Sequence, residues 1–325
     1  MKRRLLPLAG LLLLTACDAG APVSHPDATV PTPTWAPAPA RSPAGTTSKA
    51  PAAPTGVAVG RGVAVISNQA ASVRPAPSDA FAQLPTTGTP RSVVGAPGGG
   101  FRIVAGAAVL DVPAGSTTAR SWPLPAEGGA IAVPRTADWT AVAVPDRGDV
   151  LVLSATGEVL RTIHAGGRPY ALAADDERIA VVDAGESSIT VFDAATGARL
   201  EGLRAGGGAV AVVPAGSGRF AVIDARDGEL LVYDTGPLLL RQRYPVPGGA
   251  WAAASEPDRR VVWVTLTQRN EVVGFDLSGG TPREVARHGT VRLPLAVAVD
   301  PAGGGLAVAG SGEQAGEGLV QRIPA

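Results

Sequence analysis

Between Arg168 and Leu200 hydrophobic and polar positions follow one another in a fixed order. An apolar run (Tyr170 to Ala173) leads into a charged turn (Asp175 to Arg178) and a second apolar run (Ile179 to Val182). A polar turn (Asp183 to Ser188), an alternating run (Ile189 to Phe192) and the turn Asp193 to Gly197 come next. Runs this short, separated by turns this frequent, predict three strands and the start of a fourth in one antiparallel sheet.

The same line is written several times. From Gly128 onward four copies follow one another at intervals of about forty residues, the length of a four-stranded propeller blade. Asp146, Asp183, Asp224 and Thr265 are expected to close their second apolar runs. Weaker copies flank them, at Val93 to Leu124 and at Leu293 to Ile323, the last without a fourth strand. Gly56 to Leu84 holds enough valine for an extra blade plus the strand that completes the last one. Closure by the chain ends would remove exposed sheet edges. No window shows a helical period with caps. The fold class is therefore all-β, a propeller of four-stranded blades. The expected number is seven, with six the alternative if Gly56 to Leu84 stays outside the ring.

In Pro169-Tyr-Ala-Leu172, Ala180-Val-Val-Asp183 and Thr190-Val-Phe-Asp-Ala-Ala-Thr-Gly197 the segment resembles the YVTN-type (YncE-like) propeller repeat. The resemblance covers roughly Gly128 to Gly280. It implies architecture and little about activity, since such propellers serve many purposes. The residue that is usually Asn after the second strand is Asp in three copies and Thr in one.

The N-terminus reads differently. Lys2, Arg3 and Arg4 precede an apolar run, Leu5 to Leu14, too short for a membrane span and suited to a signal peptide. It ends in Leu14-Thr15-Ala16-Cys17, which resembles the lipobox of bacterial lipoproteins. That resemblance implies a signal peptide over 1–16, acylation of Cys17, and a lipid anchor on the extracytoplasmic side of the cell membrane. Two acyl chains hold durably, because each buried methylene contributes roughly 0.8 kcal/mol. The rest of 17–54 is rich in Pro, Ala and Thr and is expected to be a disordered linker carrying His25 and Trp35. Fully stretched it would reach on the order of 100 Å at ~3.1 Å per residue. The propeller is expected over 55–325.

Composition narrows the function. Positive and negative side chains balance at 28 each, and losing Lys2, Arg3 and Arg4 with the leader leaves 25 basic against 28 acidic. No basic stripe of the kind a phosphate backbone requires is present, so no nucleic-acid partner is expected. Cys17 is the single cysteine, which rules out an intramolecular disulfide.

In a propeller the first strand of each blade lines the central channel. The loops between blades share a rim, here called the top, with those between second and third strands. The repeats place Ile131, Tyr170, Val210, Trp251 and Leu295 at equivalent positions near that rim, each followed by Ala. Small residues suit the crowded axis, whereas Tyr170 and Trp251 have the polar-tipped aromatic bodies common at a ligand mouth. Arg91, Arg168 and Arg292 occupy comparable inter-blade positions and would suit carboxylate or phosphate groups. The aspartates at the second turn are better explained by turn chemistry than by a metal. His164 and His288 are expected to be exposed loop residues without partners. No catalytic constellation accompanies them, and no cofactor or metal is expected.

The expected function is a monomeric, membrane-anchored binding or scaffold module. Its ligand-binding residues would be Tyr170, Trp251, Arg168 and Arg292, and its partner a protein, peptide or cell-envelope ligand. The alternative is an extracytoplasmic lyase or lactone hydrolase with a metal at the channel mouth.

Overall fold

The computed structural model describes residues 29–34, 37–216, 218–312, 314 and 316–325. The leader, Cys17, His25 and Trp35 lie outside them. Seven four-stranded antiparallel sheets follow one another round a ring. Blades 1 to 6 are each continuous in sequence: Gly56–Leu84, Pro90–Pro123, Ile131–His164, Pro169–Arg204, Ala209–Pro245 and Ala250–Gly289. Blade 7 takes three strands from the C-terminus (Arg292–Val299, Leu306–Ser311, Gly318–Ile323) and its outermost strand, Thr46–Ala50, from the N-terminus. The protein is a seven-bladed β-propeller.

The strand sequences explain the ring. Within blade 4, Ile179 and Val181 of the second strand face blade 3, while Ala180 and Val182 face blade 5. A strand buried on both faces must be apolar throughout, which is why these runs are continuous rather than alternating. Seven hydrophobic clusters result, one at each interface between neighbouring blades. The cluster of Val57, Val59, Val63 and Val65 with Ala296, Ala307, Ala309 and Val320 joins blade 1 to blade 7 and completes the circle.

The closing strand corrects one expectation. Gly56–Leu84 builds the whole of blade 1 and contributes nothing to blade 7. The completing strand comes from Thr46–Ala50, inside the stretch assigned to the linker, so the folded domain begins before residue 55. Thr46 pairs with Arg322 and Ala50 with Gly318. Gly45, at φ +71°, turns the chain into this strand, and a Cβ there would meet the Arg322 carbonyl oxygen at 2.1 Å.

The outermost strands of blades 3, 4 and 6 carry a bulge that leaves Leu160, Leu200 and Val285 unpaired and exposed. A bulge bends an edge strand away from the flat geometry that recruits another chain.

Candidate functional site: the channel mouth and a groove between blades 3 and 4

The ring of residues near the top of the channel is built by bulges. In blades 2, 4, 5, 6 and 7 the pairing of first with second strand skips Arg91, Tyr170, Val210, Trp251 with Ala252, and Leu293 to Leu295. An inserted residue leaves the ladder and its side chain is re-aimed. Blade 3 has no such shift at Ile131, which is buried, as is Val210. Tyr170 is 41% exposed and Trp251 half-buried, so the aromatic pair stands out from its aliphatic equivalents. Partial desolvation pushes the Tyr170 phenol above its ordinary pKa. Tyr170 and Trp251 belong to blades 4 and 6, with blade 5 between them.

The arginines are distributed round the ring rather than gathered. Arg91 is exposed at the start of blade 2 and Arg292 half-buried at the start of blade 7. Arg168, just ahead of blade 4, sends its guanidinium to Asp146 of blade 3 at 3.0 Å, an ion pair exposed on both sides. Its charge is therefore already partnered within the protein.

Only two of the expected aspartates are structurally equivalent. Asp183 and Asp224 end the second strands of blades 4 and 5. Asp183 accepts the backbone N–H of Glu186 in its own turn (3.0 Å) and that of Arg168 in the inter-blade connection (2.6 Å). Asp224 does the same with Arg226 (3.0 Å), Asp227 (3.1 Å) and Gly207 (2.7 Å). Each carboxylate stitches two loops of the top rim together, which bears out turn chemistry. In blade 3 the corresponding strand ends at Val144, so Asp146 lies within the turn. In blade 6 the register puts Leu266 opposite Ala250, one residue beyond Thr265. Thr265 instead accepts the Ala252 backbone N–H at 3.0 Å. Asp224, Asp227 and Glu229 cluster at the blade 5 turn, but Asp224 is spent on the backbone and Glu229 on Arg243 at 2.8 Å.

Both histidines have partners, against expectation. His164 Nδ1 meets Asp149 Oδ1 at 2.7 Å, and the buried Asp149 also receives Arg147 at 3.1 Å. This arrangement leaves Nε2 of an exposed imidazole toward solvent. His288 lies against the Trp263 ring, centroids 5.8 Å apart.

Part of the top rim is covered by the chain itself. Arg226 donates to the Thr29 carbonyl at 2.7 Å, Asn270 to the Pro37 carbonyl at 3.0 Å, and Ala44 N–H to the Gly289 carbonyl at 2.9 Å. Residues 29–34 thus lie at blade 5 and residues 37–44 run over blade 6 to blade 7, in a stretch that composition alone read as solvated linker.

A groove of about 450 Å³ opens beside the connection between blades 3 and 4. Its rim is Ala165, Gly166 and Gly167, and its wall is the blade-3-facing side of blade 4: Val181, Asp183, Ser188, Thr190, Gly202 and Arg204, with Glu186 and Arg199 at its margins. Sequence reading missed it, because the wall is defined by cross-strand register rather than by any contiguous motif.

No family model matches the chain, and no curated protein matches it in sequence. Solved structures match its fold. A chain of the mitotic checkpoint complex has TM-score 0.72 at 15% identity, covering 91% of this chain and 98% of that one. U3-55K has TM-score 0.74 at 11% identity, covering 87% and 100%. A streptogramin B lyase has TM-score 0.67 at 13% identity, covering 85% and 97%. At these identities the likeness is one of fold.

Proposed function

We propose that the protein is an extracytoplasmic lipoprotein, acylated at Cys17, whose propeller binds a protein, peptide or cell-envelope ligand through the open part of its top face. The observation that carries this reading is the set of bulges at the channel mouth. They lift Tyr170 and Trp251 out of the strand ladder at positions where other blades bury Ile131 and Val210. Aromatic bodies held by rigid strands are efficient anchors, since little side-chain entropy is lost on binding. Residues 29–34 and 37–44 already occupy part of the rim over blades 5 to 7, so a partner engaging Tyr170 and Trp251 docks beside them, with blades 1 to 4 open to it.

The seating of Thr29 also shortens the tether. With the anchor at Cys17, eleven residues separate lipid from the rim of blade 5. At 3.3–3.6 Å per residue they reach about 40 Å at most, well under the span of the whole proline-rich stretch. This reading turns the top face toward the membrane and favours partners at its surface.

Crosslinking and co-purification from intact envelope, comparing wild type with the Tyr170→Ala/Trp251→Ala double variant, tests the proposal. A partner lost with the variant supports it, and equal recovery by both moves the site to another face.

A second reading, an extracytoplasmic hydrolase or lyase, is favoured by the Asp149–His164 pair. A buried carboxylate orienting an exposed imidazole is the arrangement a general base requires. On that reading His164→Ala abolishes turnover of a lactone substrate while leaving ligand binding intact.

A further inference from the structure

The groove between blades 3 and 4 follows from a substitution within the repeat. On the face that each blade turns to its predecessor, the first residue of the third strand is Asp149 in blade 3, Glu229 in blade 5 and Glu271 in blade 6. Each acid meets a basic side chain of the fourth strand: His164 at 2.7 Å, Arg243 at 2.8 Å, and Arg287. Blades 1, 2 and 7 begin their third strands without such an acid, and so does blade 4. Its register places Ser188 where the acid stands, and Gly202, opposite Thr190, where blades 5 and 6 have Arg243 and Arg287.

Two cations remain on that face. Arg204 lies opposite Ser188, and Arg199 lies opposite Phe192 on the same side of the sheet. Neither guanidinium has a carboxylate partner among the described residues. Gly202 makes the room between them: a Cβ there would come within 2.8 Å of Arg199 Nη2 and 3.1 Å of Thr190 Oγ1. The Ser188 and Thr190 hydroxyls complete the wall. Asp183, the nearest carboxylate on the wall, is committed to two backbone N–H groups, and Glu186 stands at the margin.

We infer that this groove is an anion site, in which the carboxylate or phosphate group of a small ligand takes the place of the acid that blade 4 lacks. Two guanidinium forks and two hydroxyl donors suit a planar or tetrahedral oxyanion. A volume of about 450 Å³ accommodates a small organic acid or phosphate ester. The inference is independent of the channel-mouth proposal, since it uses neither Tyr170 nor Trp251.

Isothermal titration of the full chain with glutarate and with inorganic phosphate, at constant ionic strength set by chloride, tests it. Wild type is expected to bind at least one of the two, and the stronger binder tells a carboxylate ligand from a phosphate ligand. Arg204→Gln and Arg199→Gln are each expected to weaken that binding about tenfold, the loss of one charge-assisted contact. Ser188→Glu restores the internal acid of blades 5 and 6, and is expected to abolish binding while thermal unfolding stays at the wild-type temperature or above. Tyr170→Ala/Trp251→Ala is expected to leave anion binding unchanged. Absence of heat with both anions, or binding that survives Ser188→Glu, overturns the inference.

Discussion

The Asp183 carboxylate accepts the backbone N–H of Arg168 at 2.6 Å, while the Arg168 side chain turns the other way to pair with Asp146 at 3.0 Å. One residue thus takes part in two interactions of different worth. The backbone bond is charge-assisted and fixes the connection between blades, whereas the ion pair is exposed and screened. Asp183→Ala leaves two N–H groups without their acceptor and is expected to cost about 1–3 kcal/mol. Asp146→Ala is expected to cost no more than about 1 kcal/mol. Urea midpoints of the two variants check the contrast.

Gln321 ties the entry to the closing strand to the end of blade 6. Its fully buried amide donates to the Ala44 carbonyl at 2.6 Å and the Gly289 carbonyl at 2.9 Å, and accepts the Val291 N–H at 3.0 Å. A chain beginning at Gly45 keeps the closing strand and is expected to remain monomeric in sedimentation. A chain beginning at Pro51 exposes the edge of blade 7 and is expected to aggregate.

Tyr233 ties blade 5 to the groove. Its hydroxyl donates to the Arg204 carbonyl at 2.7 Å, and burial pushes its pKa up to about 12. Spectrophotometric titration of the native protein is expected to show one tyrosine that ionises only near that pH, absent from Tyr233→Phe. The variant is expected to lose about 1 kcal/mol of stability, the net worth of one hydrogen bond.

Asp227 has its pKa raised by the neighbouring Asp224 charge. An acid with a raised folded-state pKa weakens the fold once it is ionised. The penalty therefore develops as pH rises from the unfolded-state pKa through the folded-state value, and vanishes in more acid solution. Asp227→Asn is expected to melt higher than wild type at neutral pH, with the two melting temperatures converging as pH falls toward about 4.

The repeat was legible because each blade buries both faces of its inner strands, so Ile179 to Val182 and its counterparts must be apolar whatever surrounds them. The closing strand was not. Thr46–Ala50 is an edge strand, largely exposed, with no alternation to mark it, and its partner lies at the other end of the chain. Tyr170 and Trp251 could be placed on equivalent positions from the repeat alone. The bulges that unpair them, and the Asp146 that occupies Arg168, depend on register and on neighbouring blades.

What the sequence determined by itself was the architecture: four-stranded units repeated about every forty residues, since local apolar runs and turn residues dictate strands and their order. The tertiary structure decided which polar groups are already satisfied. Asp183 is committed to the backbone and Arg168 to Asp146, whereas Arg199 and Arg204 have no acid partner among the described residues, because Ser188 stands where blades 3, 5 and 6 place one. Electrostatic pairing depends on distances across strands and between blades, and those distances exist only once the ring has closed.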